Sequence, residues 1–280
     1  MVTCTTTDAI ARTASCSFAV TVTPPPPRLK YTKFMAFGDS ITAGEVPDPT
    51  DSSLVRLRSV QPDKAYPAQL AKLLAARYTG QTITVFNEGL QGAHAIDDAA
   101  GGGHSFAAAL AKDQPDVVLL LEGVNDLSSY AKINQTIQSG LRSMWFQARQ
   151  SGAQVIVSTL TPMIRGGSRA GAIDLLPPFN DQLTAVAALD QVPVIDLYNL
   201  MLPQVDTLIS SLDGLHPNEL GYAFMGQQFF NVIKSMWELP PGTPTTTTLR
   251  PPRLVGPQPS SGASPARKGS SGGRGAGGQD

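Results

Sequence analysis

The chain has 280 residues, 41% of them hydrophobic and 15% charged, with a formal net charge of -1. This is an ordinary globular balance, long enough for one large α/β domain with appendages, and its charge gives no support to nucleic acid or an anionic membrane surface as a partner. No apolar run approaches the roughly 20 residues of a membrane span, and Met1-Val2-Thr3-Cys4-Thr5 lacks the basic start and apolar stretch of a secretory signal, so either the protein is cytosolic or its true start lies upstream.

In chain order, Ser15 to Thr23 alternates polar and apolar positions through Phe18, Val20 and Val22, the period of a strand. Residues 1–23 as a whole read as β structure with no layer to pack against. The segment from Val2 through Val22, which holds both cysteines, Cys4 and Cys16, resembles the last two strands of a hyalin-repeat domain, an extracellular immunoglobulin-like module. The resemblance implies a remnant of a longer secreted protein, in which cysteines are ordinarily disulfide-linked. It lacks the preceding strands, which leaves the partner of Cys16 open.

Residues 24–30 open with the prolines Pro24 to Pro27 and read as a semi-rigid linker. The globular region is expected over 31–238. Tyr31 to Phe37 is a strand, residues 45–62 a loop without periodicity, and Lys64 to Tyr78 an amphipathic helix with Leu70, Leu73 and Leu74 on one side. Thr82 to Phe86 is a β-branched strand, Ser105 to Lys112 a short helix, and Asp116 to Leu121 a continuous apolar strand of the kind buried on both faces of a parallel sheet. A long helix over Ile133 to Gln150 ends at Ser151-Gly152, where glycine suits a left-handed cap. Val155 to Leu160 and Val192 to Leu197 are strands, Asn180 to Leu189 and Asn218 to Met236 helices. This alternation predicts a doubly wound parallel sheet with helices on both faces. Residues 239–280, rich in Pro, Gly, Ser and Thr with five basic residues against one acid, are expected to be a disordered tail too dilute in charge for a nucleic-acid arm.

Chemistry enters at the carboxyl ends of these strands, where an open α/β sheet places its ligands. Gly38-Asp39-Ser40 follows the first strand and offers Ser40 as a nucleophile, although the tripeptide is also ordinary turn composition. Gly92 follows the second strand and Asn125 the third. Asp213-Gly214-Leu215-His216-Pro217 precedes the last helix, with His216 as a general base and Asp213 able to fix its tautomer from a tight turn. A serine hydroxyl needs such a base to become nucleophilic. The alternative reading makes His216 a helix-start histidine beside Pro217.

Together, Gly38-Asp39-Ser40, Gly92, Gly123-Val124-Asn125-Asp126 and Asp213-Gly214-Leu215-His216-Pro217 resemble the four sequence blocks of the SGNH (GDSL) hydrolases, over about residues 31–237. The resemblance implies a flavodoxin-like three-layer α/β/α sandwich on a five-stranded parallel sheet. It further implies hydrolysis of carboxylic esters through an acyl-enzyme, with no cofactor and no metal. Ser40 becomes the nucleophile, His216 the base and then acid, and Asp213 its orienting partner. The oxyanion donors become the N–H groups of Ser40 and Gly92 and the amide of Asn125. The second block departs from the family, where Ser-Gly-Asp is common, by reading Gln91-Gly92-Ala93-His94. His94 is accordingly a candidate at the substrate rim.

Other assignments are weaker. His94 with Asp97 and Asp98 is the nearest approach to a metal set but has no second histidine at ligand spacing. Gly103-His104-Ser105-Phe106-Ala107 mimics a nucleophile elbow without the strand that elbow requires, so Ser105 is expected to cap the helix it opens. Met163 and Ile164, with Ile173, Leu175 and Leu176, suggest a pocket for short- to medium-chain acyl or aryl groups, or else pack their loop down. Arg165 and Arg169 either hold an anionic substrate group or solvate that loop, with solvation expected. The alternatives carried forward are a polysaccharide deacetylase or lysophospholipase-type lipase of the same family and, in another class, a non-catalytic extracellular binding module. The partner is expected to be a small-molecule or polysaccharide ester, the location extracellular, and the state monomeric.

Overall fold

The computed structural model describes residues 2–19, 25–47, 58–130 and 132–240. The expected tail beyond residue 240 and residues 48–57 of the expected loop lie outside them; the described ends of that loop are not irregular, since Glu45–Pro47 pairs antiparallel with Arg58–Val60.

Five short apolar segments form the central sheet: β1 (Lys33–Gly38), β2 (Thr84–Gly89), β3 (Val117–Leu121), β4 (Gln154–Ser158) and β5 (Val194–Ile195). All neighbours are parallel, in the order β2-β1-β3-β4-β5. This is the flavodoxin-like arrangement, and the order in which strands are added reverses between β1 and β3. Every residue of β3 is buried, as its unbroken Val-Val-Leu-Leu-Leu run requires of a strand covered on both faces.

One group of helices pairs Glu219–Trp237 with Tyr66–Arg77, where Tyr66 and Phe229 stack 4.7 Å apart. A second group comprises Ala95–Ala99, Phe106–Asp113, Leu176–Leu189 and the long helical stretch over Ile133 to Gln150. That stretch is helical throughout, as predicted, but Thr136–Leu141 is a π turn flanked by Ile133–Gln135 and Arg142–Gln150. Gly140 lies in the widened turn, where a Cβ would come within 2.9 Å of Ala95; the absent side chain lets the helix seat against Ala95–Ala99. Ser105 caps Phe106–Asp113, accepting from Ala108 N at 3.3 Å, as expected of it.

Arg28–Leu29, expected in the linker, pairs antiparallel with Glu238–Leu239. Arg77 and Tyr78 clamp this closure through the Glu238 carboxylate. Val2–Thr7 and Thr13–Phe18 form a separate two-stranded hairpin, exposed at every residue, with Cys4 directly opposite Cys16 and both thiols free.

Candidate active site

Asp39 terminates β1 and caps the four-residue helix Ser40–Ala43, its Oδ1 accepting from Ile41 N at 2.9 Å. The geometry depends on close backbone approach. A Cβ on Gly38 would lie 1.9 Å from Leu121 O, and one on Gly89 would lie 2.1 Å from Ala43 N, so both positions exclude side chains. As the first residue of a helix, Ser40 has an N–H without an intrahelical acceptor.

His216 arrives from the opposite end of the sequence. Its segment is braced by Ser210 N to His216 O and Gly214 N to Ser210 O, and by the Ile209–Pro217 bridge. Asn218 then caps the final helix through Gly221 N. His216 is fully buried. Its Nε2 lies 2.9 Å from Ser40 Oγ and its Nδ1 lies 2.6 Å from Asp213 Oδ2. A carboxylate cannot donate, so Nδ1 carries the proton and Nε2 is left to accept from the serine hydroxyl. Asp213 Oδ1 meanwhile accepts from Leu215 N and His216 N. Burial alone would raise the Asp213 carboxyl; the hydrogen bond and charge of His216, with the two backbone donors, outweigh it and hold the group below its ordinary value.

Asn125 stands at the start of Val124–Tyr130 and donates from Nδ2 to Ala93 O at 2.9 Å. That bond ties the Gly92 loop to the end of β3, and the amide retains a second N–H. Gly92 has a φ of 75° and is exposed. Asp126 accepts from Ala95 N and Ile96 N; burial nevertheless raises its carboxyl. Asp39 is pushed further, to about 7, chiefly by burial.

The remaining expected residues make the following contacts. His94 contacts Ser129 Oγ at 3.2 Å and tilts against Tyr130, and it is His104 that pairs with Asp98. Met163 is buried in the core and Ile164 packs against it while bonding through its N–H to Gly214 O. The Met163 side chain is thus enclosed, while that of Ile164 is half-buried. Arg165 pairs with Asp174 at the surface, in line with solvation, but Arg169 does not simply solvate its loop: it reaches inward to Glu45 Oε1 at 3.2 Å.

Glu45 was not anticipated. It is fully buried, with Oε1 3.4 Å from His216 Nε2, Oε2 accepting from Gln91 Nε2 at 2.6 Å, and its backbone carbonyl accepting from Tyr222. The signal available in sequence was an acid directly after Gly44, five residues past Ser40. The left-handed Gly44 cap, φ 90°, turns the chain back so that Glu45 faces the histidine.

Comparison with known proteins bears on the family and the fold. Residues 36–224 match the model of the GDSL-like lipase/acylhydrolase family. A lipase/acylhydrolase from Enterococcus faecalis is 26% identical, with a TM-score of 0.57 over 76% of this chain and 100% of that one. An aryl esterase of M. smegmatis, solved in an inhibitor-bound form, is 23% identical, with a TM-score of 0.53 over 73% and 99%. An acetylxylan esterase from Geobacillus stearothermophilus is 20% identical, with a TM-score of 0.56 over 72% and 94%. No curated protein matches the chain. Among the described residues no helix is long and apolar enough to cross a membrane. A buried Ser–His–Asp relay at the switch point of a parallel sheet, within a matched stretch covering most of the chain, leads to one conclusion: the chain belongs to the GDSL-like lipase/acylhydrolase family and is a carboxylic ester hydrolase.

Proposed function

We propose that the chain cleaves short- to medium-chain acyl or aryl esters through an acyl-enzyme on Ser40. The observation that carries the reading is the continuous relay from Ser40 Oγ through both ring nitrogens of His216 to Asp213 Oδ2, at 2.9 and 2.6 Å. Oγ bonds to the ester carbon as its proton passes to Nε2. The carbonyl oxygen takes the negative charge, received by the N–H groups of Ser40 and Gly92 and the free amide N–H of Asn125. Collapse breaks the bond to the leaving alcohol, which takes the proton from Nε2. Water then attacks the acyl-enzyme by the same route and releases the acid and Ser40. Glu45 acts at the charged stage: a carboxylate 3.4 Å from Nε2 offers the imidazolium a second anionic neighbour, while Arg169 on the same oxygen limits that pull.

A second reading within the family is deacetylation of a polysaccharide. It is favoured by the polar group Glu45, Gln91 and Arg169 beside Nε2 and by the burial of Met163, which removes one apolar wall. We further read the hairpin Val2–Thr7 with Thr13–Phe18 as part of a hyalin-repeat-like module of a secreted protein; the pairing of the two strands with Cys4 opposite Cys16 supports that reading. Turnover of a chromogenic acyl-length series alongside acetylated xylan tests the substrate. Ser40→Ala is expected to abolish both activities, and undiminished turnover in that variant would overturn the acyl-enzyme.

A further inference from the structure

Outside the Ser40 site, Asp98, His104 and Glu122 converge with one ligand atom from each within 4.8 Å of the others. Asp98 is 3% exposed and Glu122 1%. His104 Nδ1 lies 2.6 Å from Asp98 Oδ2, and its ring is stacked on Phe37 at 4.4 Å and 4°, so the imidazole is held in one orientation. Both oxygens of Glu122 are buried with no hydrogen-bond partner. Two buried carboxylates thus face one imidazole. An imidazolium would leave one negative charge uncompensated; a doubly charged cation with a neutral imidazole balances both.

We propose that Asp98, His104 and Glu122 are the ligands of a divalent transition-metal ion of the zinc class, in a site distinct from the Ser40 relay. One nitrogen and two carboxylate oxygens, with water completing the shell, suit Zn2+, whereas Ca2+ and Mg2+ prefer six or more oxygens. The loop is built for it. Gly102 N bonds back to Asp97 O at 2.9 Å and Gly101 takes a φ of 87°, which turns His104 towards Asp98. Because Glu122 directly follows β3 and precedes Gly123-Val124-Asn125, the ion would pin the segment that follows Gly92 to the link between β3 and the helix that carries Asn125. Its role is structural, and the hydrolytic steps do not pass through it. The competing occupant is a proton held between the two carboxylates.

The full chain, stripped with a chelator, is titrated with Zn2+, Ca2+ and Mg2+ by calorimetry and thermal melting. One Zn2+ per chain is expected, with Tm rising roughly 5–10 °C at a hundredfold excess over Kd, and little response to Ca2+ or Mg2+. Glu122→Gln and His104→Gln should each weaken Zn2+ binding at least about tenfold, while Ser40→Ala binds as the parent does. Absence of Zn2+ binding below about 1 mM in the parent overturns the site, and a higher metal-free Tm in Glu122→Gln would then identify the shared proton. Zn2+ binding unchanged in either folded ligand variant also overturns it, since the ion would sit elsewhere.

Discussion

Asp213→Asn separates orientation of the base from folding. Asparagine retains an oxygen at the position of Oδ1, so the acceptor for Leu215 N and His216 N, at 2.9 and 3.1 Å, survives. At the other position an NH2 replaces the oxygen 2.6 Å from His216 Nδ1. That group donates, so the ring must accept at Nδ1 and carry its proton on Nε2. Nε2 then faces Ser40 Oγ, 2.9 Å away, as a donor and cannot take the hydroxyl proton. In a serine protease the same tautomer error lowers kcat about 10^4-fold, equivalent to about 5.4 kcal/mol at the barrier. A comparable loss is expected here, because both buried contacts must be remade and no solvent can reorient the ring. Stopped or continuous hydrolysis of a chromogenic ester gives kcat, and a thermal melt gives stability. The expected result is a fall of about three to four decades in kcat with Tm moving by only a few degrees. Activity within about tenfold of the parent would falsify the tautomer argument, and a collapse in Tm would show that the Asp213 charge holds the turn.

Two further expectations concern neighbours of the relay. Asp39 has a folded value of about 7 against 3.8, so the folded state binds the proton more tightly. Its contribution to stability is present below 3.8 and lost as pH rises through about 7. Asp39→Asn, which can still cap Ile41 N, should gain roughly 3 kcal/mol relative to the parent between pH 5 and pH 8 in urea melts; parallel stability–pH curves for the two proteins would refute this. Glu45→Gln removes the second anion beside Nε2 and should lower kcat ten- to thirtyfold, or roughly 1–2 kcal/mol after allowance for Arg169, with KM for a neutral ester little changed. An unchanged kcat would show that Glu45 serves only to anchor Gln91 and Arg169.

The sheet was legible because each of its strands is a short apolar run bounded by turn residues, and burial on both faces leaves no other use for Val117–Leu121. That Ser40, Asp213 and His216 could meet was legible because they lie at a strand end and before a capped helix. Legibility failed where local chemistry and tertiary contact disagree. Leu176–Leu189 begins four residues before the predicted start, since Pro177 and Pro178 read as breakers yet occupy the first turn, where a missing N–H costs nothing. Ala95–Ala99 and Val124–Tyr130 are too short to show a period, and the first is started by Asp126 rather than by a residue of its own. Glu45 and the Asp98–His104 pair were missed for a different reason: nothing in a linear reading indicates that an acid after a left-handed glycine faces a histidine 171 residues away.

The bracing of His216 also constrains how such an enzyme can change. Ile164 N bonds to Gly214 O and Arg169 N to Asp213 O, while a Cβ on Gly167 would lie 2.5 Å from Asp213 O. The segment after β4, well placed to be varied for new substrates, is thus stitched to the turn that aims the base. Loop exchange there is a transplant of two functions at once: an insertion between 164 and 169 would tilt the imidazole before it altered selectivity, and variants recovered from such libraries should cluster at positions that leave those two backbone bonds in place.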